Sequence, residues 1–116
     1  MKPAKKPEDL ARFFVERANA GDVEGLVELY EPNAALACGN GKIAVGADQI
    51  RQFYKAFLAK RPQLRPVVQS RALRNGDIAL TSSRLGNGDT TAEIARRQPK
   101  GNWLWAVDQP AVAKEV

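Results

Sequence analysis

The sequence of residues 64–108 is LRPVVQSRALRNGDIALTSSRLGNGDTTAEIARRQPKGNWLWAVD, and much of it alternates apolar and polar side chains. This period of two is typical of β-strands with one buried face. Three polar segments rich in glycine and asparagine interrupt it, at 75–76, 86–89 and 99–102. They divide the stretch into four predicted strands, roughly 64–73, 78–85, 90–98 and 103–108. Because the connections are hairpin-sized, the strands are expected to form an antiparallel meander.

Three helices are predicted before this meander. The first runs from Pro7 to about Ala20, and the second starts after the capping residue Asp22 and ends before Pro32. The third has the clearest helical periodicity, with apolar side chains at Ile50, Phe53, Tyr54, Phe57 and Leu58. Two short strands, 34–37 and 42–45, precede it. The order predicts an α+β fold class in which three N-terminal helices pack on a curved antiparallel sheet.

The hairpin register assigns each strand residue to a face. A two-residue turn at Asn75-Gly76 places Leu73 opposite Ile78, and the last turn places Gln98 opposite Trp103. The face expected to point inward has small residues in its middle and both tryptophans on the last strand. Its members are Val68, Ser70, Ala72, Ala79, Thr81, Ser83, Ala92, Ile94, Arg96, Gln98, Trp103, Trp105 and Val107. The other face carries Leu73, Ile78, Leu80 and Leu104 among charged residues, and we expect a homodimer through it.

The composition limits both the architecture and the chemistry. A chain of 116 residues fits one domain over 1–116, with flexible tails expected at 1–6 and 111–116. Histidine is absent, which excludes Ser-His-Asp triads, Cys-His dyads and histidine-bound zinc. Cys38 is the only cysteine, so no intramolecular disulfide forms. No cofactor or metal is expected. Apolar runs are too short for a membrane span, and we expect a soluble cytoplasmic protein.

The net charge of +5 is concentrated in the second half of the chain. Residues 1–58 have eight basic and eight acidic side chains, whereas residues 59–116 have ten basic and five acidic ones. The arginines of the second half are scattered among apolar strand residues and are not grouped with aromatic stacking platforms. Nucleic-acid binding is therefore disfavoured.

Several segments together carry a family resemblance. They are Phe14-Val15, Asn19-Ala20-Gly21-Asp22, Leu29-Tyr30-Glu31-Pro32-Asn33-Ala34, Gly46 to Tyr54, and the 96–103 hairpin. With them the chain resembles the superfamily of ketosteroid-isomerase-like and nuclear-transport-factor-2-like proteins, and within it the functionally undefined SnoaL-like branch. The resemblance implies a cystatin-like α+β roll, in which the sheet and helices form a cone around an apolar pocket. The same cone hosts isomerases, polyketide cyclases, epoxide hydrolases, dehydratases and non-catalytic association domains, so the fold alone does not assign a function.

The resemblance also indicates which catalytic groups are missing. A ketosteroid isomerase needs a carboxylate base and an oxyanion hole made by a tyrosine and a protonated aspartic acid. The gap-free comparison maps the tyrosine to Phe14, the base to Cys38, and the second aspartate to Ile94, or to Ala95 after a slip of one residue. Steroid isomerisation by that mechanism is therefore disfavoured, and whether the chain is an enzyme stays open.

Four side chains remain as functional candidates, each with a structural alternative. Cys38 is either a pocket thiol or a small half-buried apolar residue. Arg96, the one charge expected to point inward, either binds an anion beside Trp105 or lies along the indole with its head in water. The hydroxyls of Tyr30 and Tyr54 either reach the cavity or belong to packing rings.

One further pair of side chains is acidic. Asp108 and Glu93 are expected to face each other on the outer face, either as a proton-sharing pair or, with Arg97 nearby, as an ion network. The network is the preferred interpretation.

The residues expected to line a ligand pocket are Phe14, Tyr30, Cys38, Tyr54, Thr81, Ile94, Arg96, Trp103 and Trp105. The first hypothesis is a small-molecule-binding protein whose ligand is mostly apolar, with an anionic group at Arg96. The alternative is a non-catalytic association domain with a plugged cavity. A further alternative is an isomerase, cyclase or dehydratase that uses a non-standard set of residues.

Overall fold

The structure is a computed structural model that describes residues 2–114. It consists of three helices and eight strands in the order α1, α2, β1, β2, α3, then β3 to β8. The helices are α1 (Asp9–Asn19), α2 (Val23–Val27) and α3 (Ala47–Ala59). The strands are β1 (Tyr30–Gly39), β2 (Lys42–Val45), β3 (Val68–Gln69), β4 (Leu73–Asn75), β5 (Ile78–Thr81), β6 (Ser83–Arg84), β7 (Asp89–Arg97) and β8 (Trp103–Lys114). The predicted α+β class and the order of its elements are confirmed.

Local sequence explains where the helices begin and end. Gly21 adopts φ +70, a left-handed conformation that glycine tolerates without strain, and it separates α1 from α2. The Asp22 side chain accepts a hydrogen bond of 2.9 Å from the backbone N–H of Gly25 and caps α2. α3 buries Ile50 and Tyr54 on the face that its periodicity predicts.

The second helix is shorter than predicted, because the chain enters the sheet early. Tyr30 already belongs to β1, where it pairs with Trp105 of β8, and the Trp105 N–H donates to the Leu29 carbonyl at 2.8 Å. Pro32 does not terminate a helix. It lies in β1 between Tyr30 and Ala35, where the register with β8 shifts, so its missing N–H fits an interrupted ladder.

The sheet is mixed, whereas the sequence predicted an antiparallel one. Its strand order is β2-β1-β8-β7-β5-β4, with β3 paired to β6 and β6 to β7. The β1–β8 pair is parallel, and the others are antiparallel. Hairpin-length arguments could not reveal this pair, since β1 and β8 are far apart in the chain.

The predicted register is wrong in both the first and the last hairpin, but the predicted facing of the side chains holds in the first. The first turn is Gly76-Asp77, with Leu73 opposite Leu80, a shift of two residues that leaves Ala79 and Thr81 inside as predicted. The last hairpin places Arg97 opposite Trp103, a shift of one that reverses every side chain of β7. The inner face of β7 is therefore Thr91, Glu93 and Ala95, and Ala92, Ile94 and Arg96 face outward.

A β-bulge near Ala106 reverses the second half of β8 as well. Ala95 pairs with Trp105, but Ile94 pairs with Val107, so Ala106 is the extra residue. Trp103 and Trp105 are buried, Val107 is 47% exposed, and Asp108 returns to the inside. The bulge is the reason that the prediction of an inward Val107 and an outward Asp108 is wrong.

Residues near both ends pack on the domain, where the sequence predicted tails. Ala4 is buried, and its carbonyl accepts from the Trp103 N–H at 2.9 Å. Residues 111–114 continue β8. Met1, Glu115 and Val116, the remaining parts of the predicted tails, lie outside the described residues. Between residues 2 and 114 no helix has the length and apolar character to cross a membrane.

Candidate functional site

An apolar space opens between α1, α3 and the end of the sheet that carries β6. This vestibule has a volume of about 460 Å³. Its lining is rich in aromatic and aliphatic side chains, as is usual for small-molecule sites. The lining residues are Phe14, Val15, Phe53, Tyr54, Phe57, Gln63, Leu64, Arg65, Val67, Leu85, Gly86, Asn87 and Pro110.

A second, smaller space of about 90 Å³ adjoins the vestibule and forms its floor. The two spaces share Phe14, Tyr54, Val67, Leu85 and Pro110. The floor has polar groups that the vestibule lacks. Its other lining residues are Ala11, Ser83, Thr91, Glu93, Trp105 and Asp108. A ligand that enters the apolar vestibule therefore meets carboxyl and hydroxyl groups at its inner end.

Three buried side chains form a short hydrogen-bonded chain beside the floor. The Tyr30 hydroxyl donates to Asp108 Oδ2 at 2.5 Å and lies 2.5 Å from the Tyr54 hydroxyl. A hydroxyl has only one hydrogen, so when Tyr30 donates to Asp108 it accepts from Tyr54. Tyr30 comes from the start of β1, Tyr54 from α3 and Asp108 from β8. The parallel β1–β8 pair is what brings Tyr30 to Asp108.

Glu93 is the neighbour of Asp108 on the adjacent strand, and both side chains line the floor. The two are register partners in the β7–β8 pair, and each is only 6% exposed. Thr81 donates to Glu93 Oε1 at 2.7 Å. Two neighbouring carboxyls without a cation cannot both ionise easily. No basic side chain lines the floor within residues 2–114.

Burial shifts the protonation of the whole cluster. Burial raises the pKa of Asp108 to about 7, the hydrogen bond from Tyr30 lowers it in part, and neighbouring Glu93 raises it. Burial also raises the pKa of Glu93, although hydrogen bonds from Thr91 and Thr81 act against this. The pKa values of Tyr30 and Tyr54 are raised well above 10 by burial and by the nearby Asp108 charge. Near neutral pH, Asp108 can therefore both accept and donate a proton.

An aromatic wall encloses the cluster. Phe14 has its ring centroid 6.0 Å from that of Tyr54 and 6.1 Å from that of Trp105, while Tyr30 lies 5.3 Å from Trp105. Within the described part of the chain, the buried Trp105 Nε1 has no hydrogen-bond partner. These rings keep the local dielectric low, which strengthens the effect of burial on the carboxyl groups.

The structure brings five of the nine predicted pocket residues to the site. Phe14, Tyr54 and Trp105 line the floor, and Tyr30 and Thr81 hold its carboxyl groups through hydrogen bonds. Cys38 is half-buried, with its thiol 3.5 Å from the Leu36 carbonyl, and it lines neither space. Whether any of these residues binds a ligand stays a prediction.

The remaining three predicted residues lie elsewhere. Ile94 and Arg96 belong to the outer face because of the one-residue shift in β7. The Arg96 side chain is half exposed and pairs with Glu31 at 3.0 Å, so the predicted inward anion contact is wrong. Trp103 is buried, but outside the vestibule and floor, beneath the guanidinium groups of Arg74 and Arg97.

Sequence reasoning recognised the pairing of Glu93 with Asp108 and missed its location. The pair was expected on the outer face as an ion network with Arg97, yet Arg97 pairs instead with Asp77, and the two carboxyls are buried. Glu93, the residue before Ile94, faces the floor, whereas Ile94 faces outward. The two threonines that flank Glu93 on the inner face were the available signal, since buried carboxyls require such donors.

Comparison with known families agrees with this architecture. Residues 10–109 match the model of the SnoaL-like domain. The chain belongs to the SnoaL-like domain family. No curated protein shows a significant sequence match to it. Among the described residues, no group of cysteine and carboxylate side chains could hold a metal ion.

Solved structures with the same fold cover most of this SnoaL-like chain. A protein of unknown function with a cystatin-like fold from Nostoc punctiforme has 24% identity and a TM-score of 0.71, over 91% of this chain and 87% of that one. A protein from Thiobacillus denitrificans described as a calcium/calmodulin-dependent protein kinase type II association domain has 13% identity and a TM-score of 0.77, over 98% and 100%. A ketosteroid isomerase-like protein from Erwinia carotovora atroseptica has 17% identity and a TM-score of 0.68, over 87% and 88%. At these identities the likeness establishes the fold alone.

Proposed function

We propose that the protein binds a small, mostly apolar molecule in the vestibule and moves a proton on it with Asp108. The observation that carries this proposal is the Glu93–Asp108 pair, buried at the floor of an apolar cavity without a basic partner. Unpaired buried acids cost free energy, and such groups are concentrated at functional sites. A purely structural core would be more stable with apolar residues at both positions.

The chemistry follows from the two protonation states of Asp108. As a carboxylate, oriented by the Tyr30 hydroxyl, it can remove a proton from a carbon next to a carbonyl group. As an acid, it can return that proton to another atom of the same molecule. Glu93 lies beside Asp108 at the floor, where its negative charge favours keeping the proton on Asp108. These two proton transfers fit isomerisation, cyclisation or dehydration. An enzyme of that kind would use residues other than the catalytic set of ketosteroid isomerases.

Deuterium exchange tests the proton transfer without knowledge of the natural substrate. A panel of cyclic and aryl ketones is incubated with the protein in D₂O, and loss of the α-hydrogen signals is followed by proton NMR. We expect exchange above the buffer rate for at least one ketone, and a loss of about a hundredfold or more in Asp108→Asn. Glu28→Gln removes an exposed carboxyl as the matched control and should leave exchange unchanged. Exchange that survives Asp108→Asn, or that never exceeds the buffer rate, contradicts the proposal.

A second candidate function, association, is favoured by the outer sheet face. Leu73, Ile78, Leu80 and Val107 are exposed there by 72%, 45%, 44% and 47%. Large exposed apolar patches usually have partners. The likeness to a protein described as an association domain points the same way. We propose a homodimer through this face, which is compatible with an open cavity and proton transfer.

Light scattering tests the homodimer. Leu80→Glu places a charge in the middle of the proposed interface and should convert a dimer into a monomer. Ile43→Glu, an exposed position on β2 at the far edge of the same sheet, is the control and should leave the dimer intact. A parent protein that is monomeric at high micromolar concentration contradicts the homodimer.

A further inference from the structure

Among the described residues that line the vestibule, one is charged, and that residue is Arg65. Its side chain is exposed although it lines the space, so it lies at the opening. We infer that Arg65 binds an anionic group at this mouth, and that the ligand is an amphiphile with its apolar body inside and a carboxylate, sulfonate or phosphate group outside. The inference rests on the proposed function and names the ligand class and the residue that selects it.

The backbone around Arg65 is fixed by a side chain from another element. Asn19, the last residue of α1, donates to the Leu64 carbonyl at 2.9 Å and accepts from the Leu64 N–H at 2.7 Å. These two hydrogen bonds hold Leu64, the residue next to Arg65, although Asn19 and Leu64 are 45 positions apart in the sequence. An asparagine amide matches a backbone N–H and C=O in this way only at a defined position of the chain. The backbone beside Arg65 is therefore anchored to α1 before a ligand arrives.

The distribution of charge gives the ligand its orientation. Among residues 2–114, Arg65 forms no ion pair and no acidic side chain lines the vestibule. The floor has the opposite character, since its described lining includes the carboxyl groups of Glu93 and Asp108 and no basic group. An anion placed at the floor would meet negative charge in a low dielectric, which is strongly unfavourable. An anion at the mouth meets a cation that can bind it bidentately.

Two dyes with the same ring system test this inference on the full chain. Anilinonaphthalene sulfonate is anionic, and phenylnaphthylamine is its uncharged counterpart; both become fluorescent in apolar sites. Arg65→Met keeps much of the apolar stem and removes the charge. Because Arg65 is exposed, we expect about three- to tenfold weaker binding of the sulfonate and unchanged binding of the neutral dye. Arg65→Lys should restore part of the loss.

Two further variants locate the effect. Arg61→Met removes an exposed charge that does not line the vestibule and should leave both dyes unaffected. Val67→Trp fills the vestibule from a position that lines both spaces and should abolish binding of both dyes. Added salt should weaken binding of the sulfonate and not of the neutral dye.

The outcomes separate this inference from the proposed function. Loss of the sulfonate alone in Arg65→Met supports the inference. Equal losses for the two dyes, no loss for either, or the same loss in Arg61→Met overturns it while leaving a pocket that binds apolar molecules. Absence of dye binding, or binding that survives Val67→Trp, overturns the proposed use of the vestibule and the inference with it.

Discussion

Replacing Asp108 with asparagine should make the protein more stable than the parent at pH 8 and should remove much of the pH dependence of its stability. The pKa of Asp108 is raised from 3.8 to about 7 in the folded state, because the carboxyl is buried. A raised carboxyl pKa means that the folded state binds more protons than the unfolded state between these two values. The free energy of unfolding therefore falls as pH rises from about 4 to about 7. Asparagine stays neutral and avoids this loss.

The expected magnitude follows from the same pKa values. The difference between 3.8 and about 7 corresponds to roughly 4 kcal/mol of stability, fully present below the unfolded pKa and lost above the folded one. Glu93, with a pKa raised by burial, contributes in the same direction. The difference in unfolding free energy between variant and parent should therefore change by several kcal/mol between pH 4 and pH 8.

Urea unfolding followed by tryptophan fluorescence measures this difference, since Trp103 and Trp105 are both buried. Titrations at intervals from pH 4 to pH 8 give one stability curve for each protein. Asp48→Asn removes a carboxyl whose side chain is 98% exposed, and its curve should run parallel to that of the parent. Parallel curves for Asp108→Asn and the parent would refute the claim that Asp108 is buried with a raised pKa.

Three further outcomes follow from individual contacts. Tyr30→Phe removes the hydroxyl that donates to Asp108, so unfolding free energy should fall by about 1–3 kcal/mol and the Asp108 pKa should rise further; a downward shift in a carboxyl titration by NMR would contradict this. Arg96→Met should leave dye binding unchanged in fluorescence titrations, because the side chain is on the outer face, and weaker binding would contradict the observed register. Gly21→Ala should cost about 1 kcal/mol in urea unfolding because φ is +70 with open space around it, whereas Gly86→Ala, equally open but without positive φ, should cost less, and equal costs would contradict the conformational explanation.

The helices were predictable because each has its own local signals. α3 combines apolar spacing with a following proline, and α1 and α2 are separated by Gly21 and capped by Asp22. The error at the end of α2 came from Tyr30. Its apolar spacing suits a helix face, but the pairing with Trp105, 75 positions later, takes it into a strand.

The inward and outward faces of a strand were predicted correctly only where the error in strand register was an even number of residues. The turn lies at Gly76-Asp77, one residue later than the predicted Asn75-Gly76. This moves the strand pairing by two residues, and because two is an even number, Leu80 still faces the predicted side. The last hairpin shifted by one residue, and the bulge near Ala106 then shifted β8 again. No local residue pattern predicts these two register shifts, because tertiary packing determines them.

The candidate site was therefore predicted in part. The aromatic members Phe14, Tyr30 and Tyr54 were recognised, since their helical or strand spacing points them toward the core. The acids were assigned to the surface, because a charged residue is buried only rarely and sequence alone favours the exposed alternative. A single-residue error in register was enough to exchange Arg96 for the carboxyl of Glu93 as the inward charge.

The place of β8 in the sheet has a consequence for how the chain folds. Among the strands of residues 2–114 this one comes last in chain order, yet it lies between β1 and β7 and joins two otherwise separate groups of strands. Contacts over such long sequence separations slow folding, because bringing the two distant segments together costs loop-closure entropy. During synthesis the earlier strands can form only two unconnected half-sheets until residues 103–114 are available. That same strand carries Asp108, so the final step that closes the sheet also completes the acidic floor.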